Sequence, residues 1–194
     1  MVYTYDATGK KLSKNANGSI RNYVDGIAYK PDNTIDFIHT GEGIARNSGG
    51  NYVYEYNLTD HLGNVRYSFN QNGTKLQSDD NYAFGKRKTP AFLSSTDNKY
   101  LYNGKELQEE LDGQYDYGAR LYDPVIARWN VVDPLAEKMR NWSPYKYAFN
   151  NPIRFIDVGG EYPWPVQIRS FISTATTGGG LFRGDGMSFF FWHF

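Results

Sequence analysis

The sequence predicts a mainly β protein built from antiparallel hairpins, and three observations carry that prediction. Aromatic residues make up 17% of the chain, with 17 Tyr in 194 residues, and aromatic side chains suit half-buried strands. The chain holds 20 Gly, above the roughly 7% average share, and glycine supplies the positive φ of tight turns. The third observation is a recurring unit, Tyr-x-Tyr or Tyr-Asp followed by a Gly or Asn turn, which reads as strand, turn, strand.

The units run in order. Tyr3-Thr-Tyr-Asp-Ala-Thr-Gly9 leads to Lys10–Lys14, Tyr54–Gly63 leads to Asn64–Phe69, Ser68–Gly73 leads to Thr74–Gln77, and Tyr115-Asp-Tyr-Gly118 leads to Ala119–Asp123. Within each, aromatic and β-branched residues alternate with polar ones, as half-buried strands do. A unit this short cannot bury its own face, so neighbours must stack. Residues 1–85 are therefore expected to form successive hairpins, inside a hairpin-repeat region 1–97 that closes with a turn-rich break at Pro90–Asp97. Asn98–Arg120 returns to strand, with a turn of helix around Lys105–Glu110. Two short helices are expected next. Asp133 and Ser143 each precede a proline and good helix formers, the pattern of an N-cap followed by Pro at N1. Ile153–Ile156 reads as a short strand. Residues 98–161 form the second region, and 162–194 a variable tail with a linker-like run, Ser173–Gly180.

Composition excludes several function classes. The 21 Lys+Arg balance 21 Asp+Glu, which argues against a basic nucleic-acid binder. The absence of Cys removes disulfide scaffolds, zinc-thiolate sites and Cys catalysis, without fixing the compartment. The start, Met1–Asp6, shows no signal peptide, and no run of about 18 apolar residues predicts a membrane span. The apolar end, Met187–Phe194, is too short to span and reads as a buried strand or a frayed, adhesive end. The chain begins in mid-pattern, which leads us to expect a C-terminal piece of a longer protein. Its hairpins would leave strand edges open, so self-association is expected.

Two segments are far more specific than this general texture. They are Tyr115-Asp-Tyr-Gly-Ala-Arg-Leu-Tyr-Asp-Pro-Val-Ile-Ala-Arg-Trp-Asn-Val-Val-Asp-Pro-Leu-Ala-Glu137 and Ser143-Pro-Tyr-Lys-Tyr-Ala-Phe-Asn-Asn-Pro-Ile-Arg-Phe-Ile-Asp157. Together they resemble the RHS repeat-associated core domain that closes RHS/YD-repeat proteins. Leu58-Thr-Asp-His-Leu-Gly-Asn-Val-Arg66 looks like the YD-type repeat that precedes this core in Bacteroidetes members. The resemblance implies a β-shell whose core domain closes one end, encloses or presents a C-terminal cargo, and belongs to a secreted or cell-surface bacterial protein. It also implies an intramolecular aspartyl protease that releases that cargo.

By the same resemblance, the essential groups fall on Arg120, Asp133 and Asp157, and the released bond on Glu161–Tyr162. The chemistry has its own physical basis. Two carboxylates held close cannot both ionise, so one keeps a proton and the pair can act as base and acid. A nearby Arg can hold one carboxylate ionised or stabilise an oxyanion. Each residue also has a plainer reading: Asp133 as an N-cap, Arg120 as a cross-strand charge, Asp157 as a turn residue. The release loop departs from the family pattern. It reads Asp157-Val-Gly-Gly-Glu161, with Val158 where the family carries Pro and an acidic residue before the bond. Two readings therefore stand together, an autoprotease and a non-enzymatic plug of the shell.

Other constellations are weak. His39, His61 and His193 lack metal-ligand spacing, and His61 reads as a hairpin-turn residue. Gly41–Arg46 lacks the features of a phosphate loop and is expected to be a plain loop. No cofactor or metal is expected. Exposed Tyr and Trp leave a third reading, a cell-surface carbohydrate-binding module, but wall and core material is the simpler account of them.

Overall fold

In the computed structural model, the described residues are 1–7, 9–88, 92–94 and 98–166. The sequence folds as mainly antiparallel β. Ten strands follow one another in one meandering sheet: β1 (Val2–Tyr5), β2 (Lys11–Ala16), β3 (Ser19–Val24), β4 (Ile27–Tyr29), β5 (Ile35–Thr40), β6 (Gly43–Ser48), β7 (Asn51–Thr59), β8 (Val65–Asn70), β9 (Lys75–Ser78) and β10 (Phe92–Leu93). A four-stranded sheet follows, of β11 (Glu106–Gln108), β12 (Gln114–Asp116), β13 (Leu121–Asp123) and β14 (Arg128–Trp129), and then the pair β15 (Phe155–Asp157) and β16 (Pro163–Pro165).

Turn chemistry explains the meander. Asn17-Gly18, Asp25-Gly26 and Gly49-Gly50 all have positive φ and each sits between directly paired residues. That is the two-residue hairpin turn whose twist matches the strands. The Tyr-Asp units use a longer turn. In Asp60–Asn64 the Asp60 carboxylate accepts from the N–H of Leu62 at 2.9 Å and of Asn64 at 3.1 Å, while Gly63 takes positive φ. Asn70 does the same for Asn72 at 3.0 Å and Thr74 at 2.9 Å. The acidic or amide residue that opens the turn thus organises it, and Gly three positions on closes it. His61 lies in this turn, as expected.

The main core is aromatic. Tyr102, Tyr115, Tyr117, Tyr122, Trp129 and Tyr147 pack with Leu101, Leu107, Val65 and Ala148. The tyrosine hydroxyls are all partnered, as most buried polar groups are. The hydroxyls of Tyr117 and Tyr147 donate to Asn103 Oδ1 at 2.7 and 2.6 Å. Those of Tyr102 and Tyr122 donate to the carbonyls of Ala83 at 3.0 Å and Phe84 at 2.8 Å. Burial pushes both Tyr117 and Tyr147 well above the ordinary phenol range.

Both ends of the long sheet reach this region. Near its start, the Tyr3 hydroxyl donates to Gln108 at 3.0 Å, the Tyr23 hydroxyl to Glu106 at 3.0 Å, and Lys11 pairs with Glu106 and Asp116. Near its end, the Val65 amide donates to the Leu101 carbonyl at 3.0 Å, and the Asn98 amide to Gln77 at 2.8 Å. The sheet therefore curves, as a shell wall does, with residues 98–130 against it.

Three local expectations change. The two helices are single 3₁₀ turns, Ala136–Met139 and Ala148–Asn150. Asp133 does cap, accepting from the Leu135 amide at 2.8 Å. Phe149, however, has φ of 52°, which a right-handed helix does not allow. Its ring lies 5.1 Å from Trp142 and 5.3 Å from Phe155, so packing overrides the local signal. Around Lys105–Glu110 the chain is the strand β11 followed by a 3₁₀ turn, Glu109–Leu111. Gly43–Arg46, expected as loop, lies in β6, where Arg46 pairs with Glu55 at 2.6 Å across to β7. The linker-like run, the apolar end and His193 lie outside the described residues.

Candidate functional site

Arg120 leads into β13 from the β12–β13 hairpin, Asp133 follows β14, and Asp157 ends β15. The fold brings all three side chains together, each 0–1% exposed. Arg120 Nη2 donates to Asp133 Oδ2 at 2.9 Å and stands 3.6 Å from Asp157 Oδ2. The two carboxylate oxygens are therefore no farther apart than the sum of these distances. Arg120 Nη1 donates to the Pro144 carbonyl at 3.3 Å, and Nε donates to the Gly160 carbonyl. The guanidinium lies over the Trp129 ring, 4.3 Å from its centre. Arg120 is thus not a surface cross-strand charge.

The carboxylates have different surroundings. Asp133 is ion-paired to Arg120 and caps Leu135. Asp157 Oδ1 accepts from Gly160 N at 2.6 Å and Glu161 N at 3.1 Å, while its buried Oδ2 accepts no hydrogen bond. Burial, with the Asp133 charge adding a smaller push, raises the Asp157 carboxyl above the usual carboxylate range, against its amide bonds and Arg120. This is the environment that favours a neutral acid.

Sequence reasoning missed two lysines. Lys146 is buried, with its ammonium 4.0 Å from Asp133 Oδ2 and 3.3 Å from Met139 Sδ. Burial is the largest influence on it and lowers its pKa. Lys105 reaches the Val158 carbonyl. No local signal marks either, since Lys is ordinarily a surface residue. Asp157 and Lys146 are therefore both shifted toward their neutral forms, around the Arg120–Asp133 ion pair.

The segment after Asp157 turns tightly. Gly160 has φ of 78°, and a Cβ there would lie 3.2 Å from Arg120 N and from Tyr117 Cβ. Glu161 is exposed, and Tyr162 packs 5.3 Å from Trp164 and 6.4 Å from Phe149. The Glu161–Tyr162 peptide therefore sits between the Asp157-capped turn and β16, beside a cleft lined by Leu135, Lys138, Gly159 and Trp164. Asp123 accepts from Val125 N at 2.8 Å and so serves its turn, and Arg128 bonds Asn150 at 2.6 Å. Among the described residues no cluster of His, Cys, Asp and Glu could hold a metal, and no helix is long and apolar enough to cross a membrane.

A curved antiparallel wall with a tyrosine-rich core against it is the RHS β-shell type of fold. The chain superposes on part of the crystal structure of TcdB2-TccC3-Cdc42 with a TM-score of 0.66 and 22% identity, over 82% of this chain and 9% of that one. The structure of the Photorhabdus luminescens Tc holotoxin pore matches with a TM-score of 0.68 and 20% identity, over 84% of this chain and 9% of that one. In sequence, the chain is 35% identical over 134 residues to salivary gland surface protein 1 of Aedes aegypti, covering 68% of this chain and 4% of the relative. It is 30% identical over 186 residues to the tRNA3(Ser)-specific nuclease WapA of Bacillus spizizenii, covering 88% of this chain and 8% of the relative. The chain thus spans less than a tenth of each of these proteins. No protein-family model matches it.

Proposed function

We propose that the chain is the closing segment of an RHS/YD-type shell, and that its buried Arg120–Asp133–Asp157 cluster cleaves the chain after Glu161 to free the C-terminal segment that the shell encloses. One observation carries this reading. A single guanidinium holds two fully buried carboxyls, one ion-paired and hydrogen-bonded to it and one raised toward its neutral form. In that arrangement the Asp133 carboxylate takes a proton from a water that adds to the Glu161 carbonyl. Asp157, hydrogen-bonded to the Glu161 amide, gives its proton to the departing Tyr162 nitrogen. Water is consumed, and a Glu161 carboxyl and a Tyr162 amine result.

Likeness in fold to proteins of Tc toxin assemblies supports the shell role and a cargo partner. By the same analogy the parent protein is exported or held at a cell surface. Peptide mapping of the purified chain tests the cleavage: a new N-terminus at Tyr162 in wild type, absent in Asp157→Asn, is expected.

One observation favours a second reading, a passive plug. Every group of the Arg120 guanidinium is already engaged, tying together the segments at Asp133, Pro144 and Gly160, and the loop carries Val158 in place of Pro. A chain that stays whole at every pH, with the cluster intact, is the outcome that supports the plug.

A further inference from the structure

The loop between Asp157 and Tyr162 has little side-chain packing to define it. Val158 is 56% exposed, and Gly159 and Gly160 have no side chains. Flexible glycines lose the most entropy on ordering, so something must fix this backbone. Three successive carbonyls are each held by a different donor. Lys105 Nζ donates to Val158 O at 2.5 Å, Ala119 N donates to Gly159 O at 3.2 Å, and Arg120 Nε donates to Gly160 O. Asp157 Oδ1 takes the N–H groups of Gly160 and Glu161.

Lys105 is the member of this set that no other role accounts for. It belongs to the turn before β11, its stem is half-buried, and its ammonium stands 5.2 Å from the Tyr117 ring centre. The charge also acts on Asp157 and Asp116. Its side-chain hydrogen bond goes to the loop.

We propose that Lys105 is a positioning residue, whose ammonium fixes the Val158 carbonyl and thereby holds the 158–161 backbone against the buried carboxyls. A lysine from the core thus supplies by hydrogen bond the restraint that a proline at 158 would supply covalently by fixing φ. Its effect on cleavage rests on the self-cleavage reading, whereas its effect on the loop does not.

Two variants separate the hydrogen bond from the packing. Lys105→Met keeps an apolar stem beside Tyr117 and removes the donor, and Lys105→Arg keeps a donor. Amide hydrogen exchange is read at Gly160 and Glu161, with the Tyr122 amide of the core sheet as internal reference. The expected result is exchange at least tenfold faster at Gly160 and Glu161 in Lys105→Met, with Tyr122 unchanged and protection recovered in Lys105→Arg. Unchanged exchange at the loop, or loss of protection at Tyr122 to the same degree, overturns the proposal. The rate of appearance of the Tyr162 terminus is followed in parallel and is expected to fall tenfold or more in Lys105→Met and to recover in Lys105→Arg. If wild type never cleaves, the self-cleavage reading fails while the exchange result still decides the clamp. If wild type and Lys105→Met cleave equally fast, the positioning role fails and the reading stands.

Discussion

The Arg120 guanidinium lies 4.3 Å from the centre of the Trp129 ring, an aromatic wall on one face with carboxylates and carbonyls around its edge. Arg suits this place because its planar fork stacks and donates in several fixed directions at once. Lys has one ammonium and cannot reach the Gly160 and Pro144 carbonyls together with Asp133. Arg120→Lys is therefore expected to lower stability by about 3 kcal/mol, the order seen when a buried pair is broken, and Tm by on the order of 10 °C. Thermal unfolding checks this, and an unchanged Tm contradicts it.

The two aspartates differ in what each contributes to the fold. Asp133→Asn leaves the Arg120 charge without its closest partner, so a loss of about 2–3 kcal/mol is expected. Asp157→Asn replaces a carboxyl already pushed toward neutral, and its Oδ2 has no hydrogen bond to lose. Its cost is expected to stay under about 1 kcal/mol. Urea unfolding of the two variants at neutral pH gives the comparison. Equal losses contradict the assignment of Asp133 as the main partner of the Arg120 charge.

Acid strength gives a third prediction. The folded Asp157 carboxyl lies above its ordinary value of 3.8, so the folded state holds that proton more tightly than the unfolded one. This contribution is fully present below the unfolded value and is lost as pH rises through the folded one. Stability of wild type relative to Asp157→Asn is therefore expected to fall as pH rises above 4. Lys146 has the opposite sign: its folded pKa lies below 10.5, so wild type is expected to gain on Lys146→Met as pH climbs toward 10.5. Denaturant unfolding across pH reads both slopes, and flat differences contradict them.

Gly160 is the position in the loop where a side chain has no room. Its φ of 78° and the 3.2 Å approach of Tyr117 and Arg120 make Gly160→Ala cost about 1–2 kcal/mol. The same change is expected to disturb the Arg120–Gly160 bond and slow cleavage. Gly159→Ala meets nothing within 4 Å and serves as the control, expected to remain near wild type in unfolding and cleavage assays.

Local chemistry made much of the wall legible. Asp60 and Asn70, each with a Gly three residues later, announce their turns because the groups that build such a turn lie within five residues. Asp133 caps as its local signal says, whereas Ser143 misled: its cap signal is local, but the left-handed turn at Phe149 is imposed by Trp142 and Phe155. Gly41–Arg46 misled because glycines usually break strands, yet Gly43 opens β6. In the site, Arg120, Asp133 and Asp157 were singled out by motif, and their gathering around one guanidinium depends on chain crossings that no spacing encodes. Lys105 and Lys146 carry no mark in the sequence, since only their contacts in the fold distinguish them from surface lysines.

The central claim, that this buried cluster cuts its own chain, is tested most directly by intact mass of the purified protein against Asp133→Asn, prepared identically. The account predicts that wild type loses Tyr162–Phe194 over time while the variant keeps it. Wild type and variant both remaining whole, or both losing that segment at the same rate, contradicts the claim.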